Sequence, residues 1–174
     1  ILYIYDKLPG TFQTYLSAIN KSLKEKLGVK ILTYDANGGA DFNIRTFGFK
    51  DQLQRILFRL GLSKSKSIDI KIMAEFDIVH FQISYLKEKI RPLINLSSRP
   101  KIILTLRGGD TYIKPWLFEN WRSFYNECGN DLDAIVTVSE HQKNYLQRWG
   151  IDASKIHVIP VSFGLKNIAN PKHP

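Results

Sequence analysis

The sequence predicts an α/β domain built on a parallel sheet with helices on both faces. Six short strand candidates, at residues 1–5, 30–34, 77–82, 101–106, 133–138 and 156–161, recur with helical stretches between them. Such alternation is the pattern of repeated βαβ units. Residues 102–106 are β-branched or leucine without alternation, as in a strand covered on both sides. The 174 residues suffice for one domain of this kind with a proper core.

After the first strand, a Pro-Gly-Thr turn at residues 9–11 leads into a helix expected over 12–27. Its apolar stripe is Phe12, Tyr15, Leu16, Ile19, Leu23 and Leu27, at helical period, and Gly28 supplies the stop. The insert at 35–75 is less regular. It opens on a turn at 35–39 and carries a short helix expected at 51–62. Leu53, Ile56, Leu57 and Leu60 share one face of that helix, with Arg55 and Arg59 beside them, and Lys64 and Lys66 follow in a Ser/Lys-rich loop. A basic amphipathic helix can lie on an anionic membrane, but more often packs on its own domain. The strand at 101–106 runs into Arg107-Gly108-Gly109-Asp110, which sets a cation, two glycines and a carboxylate in one turn. Arg107 can hold an anion and Asp110 can accept a proton or bind a hydroxyl. The plainer reading is that these two side chains pair with each other. Ser139-Glu140-His141-Gln142 forms a capping box for a helix that ends at Gly150, with Tyr145, Leu146 and Trp149 inward. The tail after Gly164, with Pro171 and Pro174, reads as a linker.

The net charge of +9, from 25 Lys and Arg against 16 Asp and Glu, favours phosphate-bearing partners: nucleic acid, anionic lipid or a nucleotide-activated substrate. No base-reading motif concentrates this charge, so nucleic acid is not expected. The lone Cys128 excludes an internal disulfide, suits a reducing, cytoplasmic compartment and reads as a bystander. No apolar run is long enough to cross a membrane and no signal peptide is visible. Lacking an initiator Met, the chain is expected to begin inside a longer product. Walker A, GxGxxG, GxSxG and HExxH motifs are missing, and His80, His141, His157 and His173 do not sit at metal-ligand spacings. Neither a metal nor a cofactor is expected. In a parallel sheet the strand-end groups Gly10, Thr11, His80, Gln82, Arg107, Gly108, Gly109, Asp110 and Ser139 share the edge where such sheets bind ligands.

Four segments taken in order resemble a known family. They are Phe76-Asp-Ile-Val-His80, then the run from Lys101 through Arg107-Gly-Gly-Asp110, then Asp133-Ala-Ile-Val-Thr-Val-Ser139, then Gly150-Ile-Asp-Ala-Ser-Lys-Ile-His-Val-Ile-Pro160. Together with Leu8-Pro-Gly-Thr-Phe12 they are similar to the N-terminal domain of retaining GT-B glycosyltransferases of family four. Arg107 stands where many members carry His, in the Arg-Gly-x-Asp form of a subset. The family's paired-Glu motif and second domain are not in this sequence.

The resemblance implies a Rossmann-like parallel sheet, one half of a GT-B fold. Residues 1–164 would form the acceptor-side domain, and 165–174 would lead to a C-terminal domain. It implies hexosyl transfer, with retention, from a nucleotide-sugar donor to a glycan or lipid-linked acceptor. Polysaccharide biosynthesis in the cytoplasm or at the inner face of the membrane is the expected setting, and the fragment alone is expected to be inactive. Asp110 is expected to meet the acceptor hydroxyl, and Arg107 to bind an anion or orient Asp110. Gly10 and Thr11 would offer backbone N–H groups to an anion. His80, Gly108, Gly109 and Ser139 would line the site. Two other readings are a non-catalytic nucleotide or phosphosugar-binding module and a GT-B-like sugar-nucleotide epimerase.

Overall fold

The computed structural model of the chain describes residues 1–8, 14–35, 39–44, 49–62 and 67–161. The strands are β1 (Leu2–Tyr5), β2 (Lys30–Thr33), β3 (Phe42–Asn43), β4 (Ile78–Phe81), β5 (Lys101–Thr105), β6 (Ala134–Thr137) and β7 (Ile156–Val158). Among the described residues they form one sheet in the order β3-β2-β1-β4-β5-β6-β7, every neighbouring pair parallel. All six expected strands are present, each slightly shorter than its apolar run. β3, two residues long, was not foreseen, because a pair of residues carries no period.

The helices are α1 (Thr14–Leu27), α2 (Phe49–Arg59), α3 (Ile68–Met73), α4 (Lys87–Ile94), α5 (Gly109–Tyr112), α6 (Lys114–Leu117), α7 (Glu119–Cys128) and α8 (Glu140–Leu146). Crossovers between parallel strands are right-handed. The step from β1 to β2 therefore puts α1 on one face. The opposite steps from β4 through β7 put α4, α7 and α8 on the other, where α3 also packs. That second face holds the main core. Leu2, Ile4, Val79, Phe81, Ile102, Leu104 and Ile135 are sealed there under Met73, Ile90, Leu93, Phe124 and Leu146. Asp69, at the start of α3, pins this layer together. Its buried carboxylate accepts from the Tyr34 phenol at 2.9 Å and pairs with Lys89 at 2.6 Å. Burial alone would raise its pKa, but the Lys89 and Ser67 hydrogen bonds and the Lys89 charge hold it below the usual carboxylate range.

Two helical faces differ from expectation. In α1, Leu16 is buried, whereas Ile19 and Leu27 are exposed. Asn20 turns inward instead, accepting a 2.8 Å hydrogen bond from the buried Tyr5 hydroxyl. A tyrosine on the sheet face thus sets the roll of the helix, which the apolar stripe alone did not reveal. In α2 the apolar stripe expected to pack on the domain faces outward: Leu53, Ile56 and Leu60 are exposed, and Leu57 is half-buried. The helix at 140–146 matches its expected cap. The Ser139 hydroxyl accepts from the Gln142 N–H at 3.1 Å, and Gly150, at φ +77°, ends the following turn. Leu146 is buried, with Tyr145 and Trp149 half-buried beside it. Cys128 is buried at the end of α7, and burial pushes its thiol pKa up, away from reactivity. The expected turn at 9–11 and the linker at 165–174 lie outside the described residues.

Candidate functional site

The α1 face of the sheet carries the alternate residues of the same strands. Tyr3 of β1, His80 of β4 and Ile103 of β5 stand side by side in register. One residue pair further along, Thr105 of β5 faces Val136 of β6. α1 covers only the β1 and β2 side of this face, so the strand ends from β4 to β6 remain partly open. A cavity of about 390 Å³ lies there, between Leu16 and Ile19 of α1 and the segment Ile159–Val161 after β7. Its walls are mostly apolar, and besides Tyr3 the polar residues that line it are His80, Gln82, Thr105 and Arg107.

His80, Thr105, Arg107 and Gln82 form two hydrogen-bonded pairs. His80 Nε2 lies 2.8 Å from Thr105 Oγ1, and the Tyr3 ring meets the imidazole edge-on at 4.8 Å between centroids. Burial, helped by the nearby Arg107 charge, pushes the His80 pKa down from 6.5 to about 4. The ring is therefore neutral at physiological pH. Burial also raises the pKa of the Tyr3 phenol, which stays protonated. Arg107 donates from its guanidinium to Gln82 Oε1 at 3.0 Å. A neutral amide thus helps hold the arginine at the cavity.

Asp110 is placed differently from its neighbour. Its side chain is buried and turned into its own turn. Ser84 donates to Oδ2 at 2.6 Å, while the backbone N–H groups of Gly108 and Arg107 donate to Oδ1 at 2.9 and 3.2 Å. The Asp110 carbonyl in turn accepts from the Tyr125 hydroxyl at 2.9 Å. The carboxylate is thus the anchor of the Arg107–Gly108 backbone, and its bonds run to that backbone, to Ser84 and, at 3.5 Å, to the Thr111 hydroxyl. Gly108 adopts φ +141°, a conformation that L side chains rarely take, so the turn needs glycine there. Gly109 opens α5, immediately before Asp110.

The structure therefore brings His80 and Arg107 to one cavity and sets Gly108, Gly109 and Asp110 in the turn that carries Arg107. Ser139 is spent as the cap of α8. Its neighbour Val138 lines the cavity. Gly10 and Thr11 lie outside the described residues. Three contributors were missed. Thr105 is a single hydroxyl in an apolar strand, Tyr3 reads as core, and Ser84 is 26 residues away from the carboxylate it binds. Only the parity of Tyr3, His80 and Thr105 within their strands hinted at a shared face. Among the described residues no cluster of His, Cys, Asp and Glu is arranged to hold a metal ion.

Comparison with known structures agrees with the architecture. The chain matches the crystal structure of Anabaena Alr3699/HepE in complex with UDP-glucose with a TM-score of 0.62 and 15% identity, covering 93% of this chain and 43% of that one. The complex of the same protein with UDP and glucose gives a TM-score of 0.61 at 15% identity, over 93% and 44% of the two chains. This chain therefore spans less than half the length of the structures it matches, and at this identity the likeness concerns the fold. Among curated protein sequences none matches closely. The description of Glycosyltransferase Family 4 matches residues 14–162, a span from α1 to just past the cavity-lining segment after β7. With every described strand except β1, and every cavity-lining residue except Tyr3, falling inside that span, the chain belongs to Glycosyltransferase Family 4.

Proposed function

We propose that this chain is the acceptor-side domain of a glycosyltransferase that moves a hexosyl group from a nucleotide-sugar to a glycan or lipid-linked acceptor with retention. One observation carries the reading: in a family-four chain, a cation held by a neutral amide faces a largely apolar cavity at the carboxyl ends of the strands. Transfer from a nucleotide-sugar builds negative charge on the departing diphosphate, and a fixed cation stabilises such charge most where water is scarce. Arg107 is the residue assigned to that anion, or to an anionic group of the acceptor. Asp110 is a positioning residue that fixes the backbone bearing Arg107, in place of the acceptor contact expected from sequence. His80, neutral and bound to Thr105, lines the apolar wall and can offer a hydrogen bond to a hydroxyl.

Residues 1–164 are assigned to this domain and 165–174 to the path towards a second domain that contributes donor contacts. On this reading the fragment alone turns over no donor. A reducing, cytoplasmic setting suits the single buried Cys128. The test is donor turnover by the full-length protein and by residues 1–174, with UDP-, GDP- and ADP-sugars and a panel of saccharide acceptors. The anomeric configuration of the product is read by NMR. The expected result is transfer with retention by the full-length protein only. Epimerised free sugar-nucleotide without any acceptor product would contradict the reading.

A further inference from the structure

A ladder of aromatic rings lies outside the cavity, where α5, α6 and α8 meet. Tyr112 of α5 stands edge-on to Tyr145 of α8, 4.9 Å between centroids, and its hydroxyl lies 2.9 Å from His141 Nδ1. Trp116 of α6 donates from Nε1 to the Tyr145 hydroxyl at 2.6 Å and meets Trp149, in the turn after α8, at 5.1 Å between centroids. These rings are held in orientation by one another before any ligand arrives, which lowers the ordering cost of binding. Yet Trp116 is 59% exposed, and Leu117 and Phe118 beside it are exposed too. Large apolar side chains gathered in this way mark a surface that meets a partner.

Three cations border the ladder. Arg148 stacks on the Tyr145 ring, 4.9 Å from its centroid, and Lys114 lies over the Phe118 ring at 4.9 Å. Arg122 of α7 donates to the Pro115 and Trp116 carbonyls at 2.9 and 3.4 Å, which fixes the backbone that bears the exposed indole. Among the described residues none of the three forms a salt bridge, although Glu119 and Glu140 are close in sequence. The surface therefore joins ring faces to unpaired positive charge. An acidic saccharide matches both. A pyranose turns a face of C–H bonds to an aromatic ring and keeps its hydroxyls at the rim, and its carboxylate pairs with a guanidinium or ammonium. A second copy packed through this surface would bring like charges together. The position suits a chain of sugars. α5 begins in the turn that carries Arg107, and α8 begins two residues after Val138, which lines the cavity. We infer that the Tyr112–Tyr145–Trp116 ladder binds the body of an acidic saccharide chain whose reacting end enters the cavity. This inference rests on the reading of the acceptor as a glycan.

The experiment is calorimetric titration of the full-length protein, without donor, with oligogalacturonide as the acidic chain and maltooligosaccharide of equal length as the neutral one. Polyglutamate supplies an acidic chain without sugar rings. Oligogalacturonide should bind at least about tenfold more tightly than the neutral chain and be released as salt rises. Trp116→Ala should weaken its binding about 10–30-fold, as truncating a central aromatic anchor does, and leave polyglutamate binding unchanged. Trp116→Phe keeps a ring and should recover most of the loss. Arg148→Gln should weaken binding about fivefold and flatten its salt dependence. Melting temperatures verify the fold of each variant, and Arg148→Gln, which removes no ring, carries the test if Trp116→Ala melts lower. Wild-type protein that ignores oligogalacturonide, or that binds the neutral chain equally, would overturn the inference. So would an equal loss of polyglutamate binding in Trp116→Ala, or a dimer in solution that Trp116→Ala dissolves. With donor absent, binding is read independently of turnover. Transfer by a protein that lacks ring-dependent binding overturns this inference alone, and ring-dependent binding without transfer upholds it while the transfer reading falls.

Discussion

The two faces of the sheet are built from the same strands and have different fates. Under α3, α4, α7 and α8, Ile102 and Leu104 are fully buried and join a continuous core. On the α1 face, Ile103 and Val136 are half-exposed, and the polar groups His80, Thr105 and Arg107 gather at an open cavity. The difference follows from strand order. Only the step from β1 to β2 sends a helix to the α1 face, while the steps from β4 onward send theirs to the other. Stability is concentrated where the helices are, and polar chemistry is tolerated where they are sparse. A buried polar group must find a partner, and His80–Thr105 and Arg107–Gln82 are such partnerships at the border between core and cavity.

The largest expected effect separates two adjacent isoleucines. Ile102→Ala removes a fully buried side chain and should cost about 2–5 kcal/mol of unfolding free energy. Ile103→Ala removes the same atoms from the half-exposed face and should cost only about 1 kcal/mol. Urea unfolding of both variants measures the gap. Equal losses would mean that the α1 face is as well filled as its opposite.

The polar border should also show itself through pH. The folded protein holds His80 near 4, below its ordinary 6.5, so the unfolded chain takes up the proton first. Stability should therefore fall as pH drops from 6.5 towards 4, with a slope of at most about 1.4 kcal/mol per pH unit from this group. Above 6.5 the group contributes no slope. His80→Asn should remove this component, so the wild-type and variant curves converge as the medium acidifies. Parallel curves over that range would show that the imidazole titrates freely.

Much of this organisation could be read from residue order. The β-branched run at 102–106 announced a covered strand, and five further runs of the same kind announced the sheet. The handedness of crossovers, once strand order was known, fixed the side on which each helix lies. What escaped were features that depend on distant partners. Asp110 and Arg107 looked like a possible ion pair, but Ser84 and two backbone N–H groups claim the carboxylate while Gln82 claims the guanidinium. The stripe of α2 was visible, yet its direction depends on how the helix lands on the domain, which a local period does not encode. The same holds for α1, where the Tyr5–Asn20 hydrogen bond displaced Ile19 from the interior.

The central claim is that Arg107 acts at the open face while Asp110 holds the turn beneath it. Single-turnover rates and melting temperatures of full-length Arg107→Gln and Asp110→Asn test it together. Arg107→Gln should lose about 10²–10³ in rate, as when one fixed stabiliser of developing charge is removed, and should melt close to the parent. Asp110→Asn should lose about 1–3 kcal/mol of stability, because an amide cannot accept all the donors that the carboxylate takes. Its folded fraction should keep a rate within about tenfold of the parent's. A fully active Arg107→Gln, or an Asp110→Asn that melts like the parent but turns nothing over, would contradict the account.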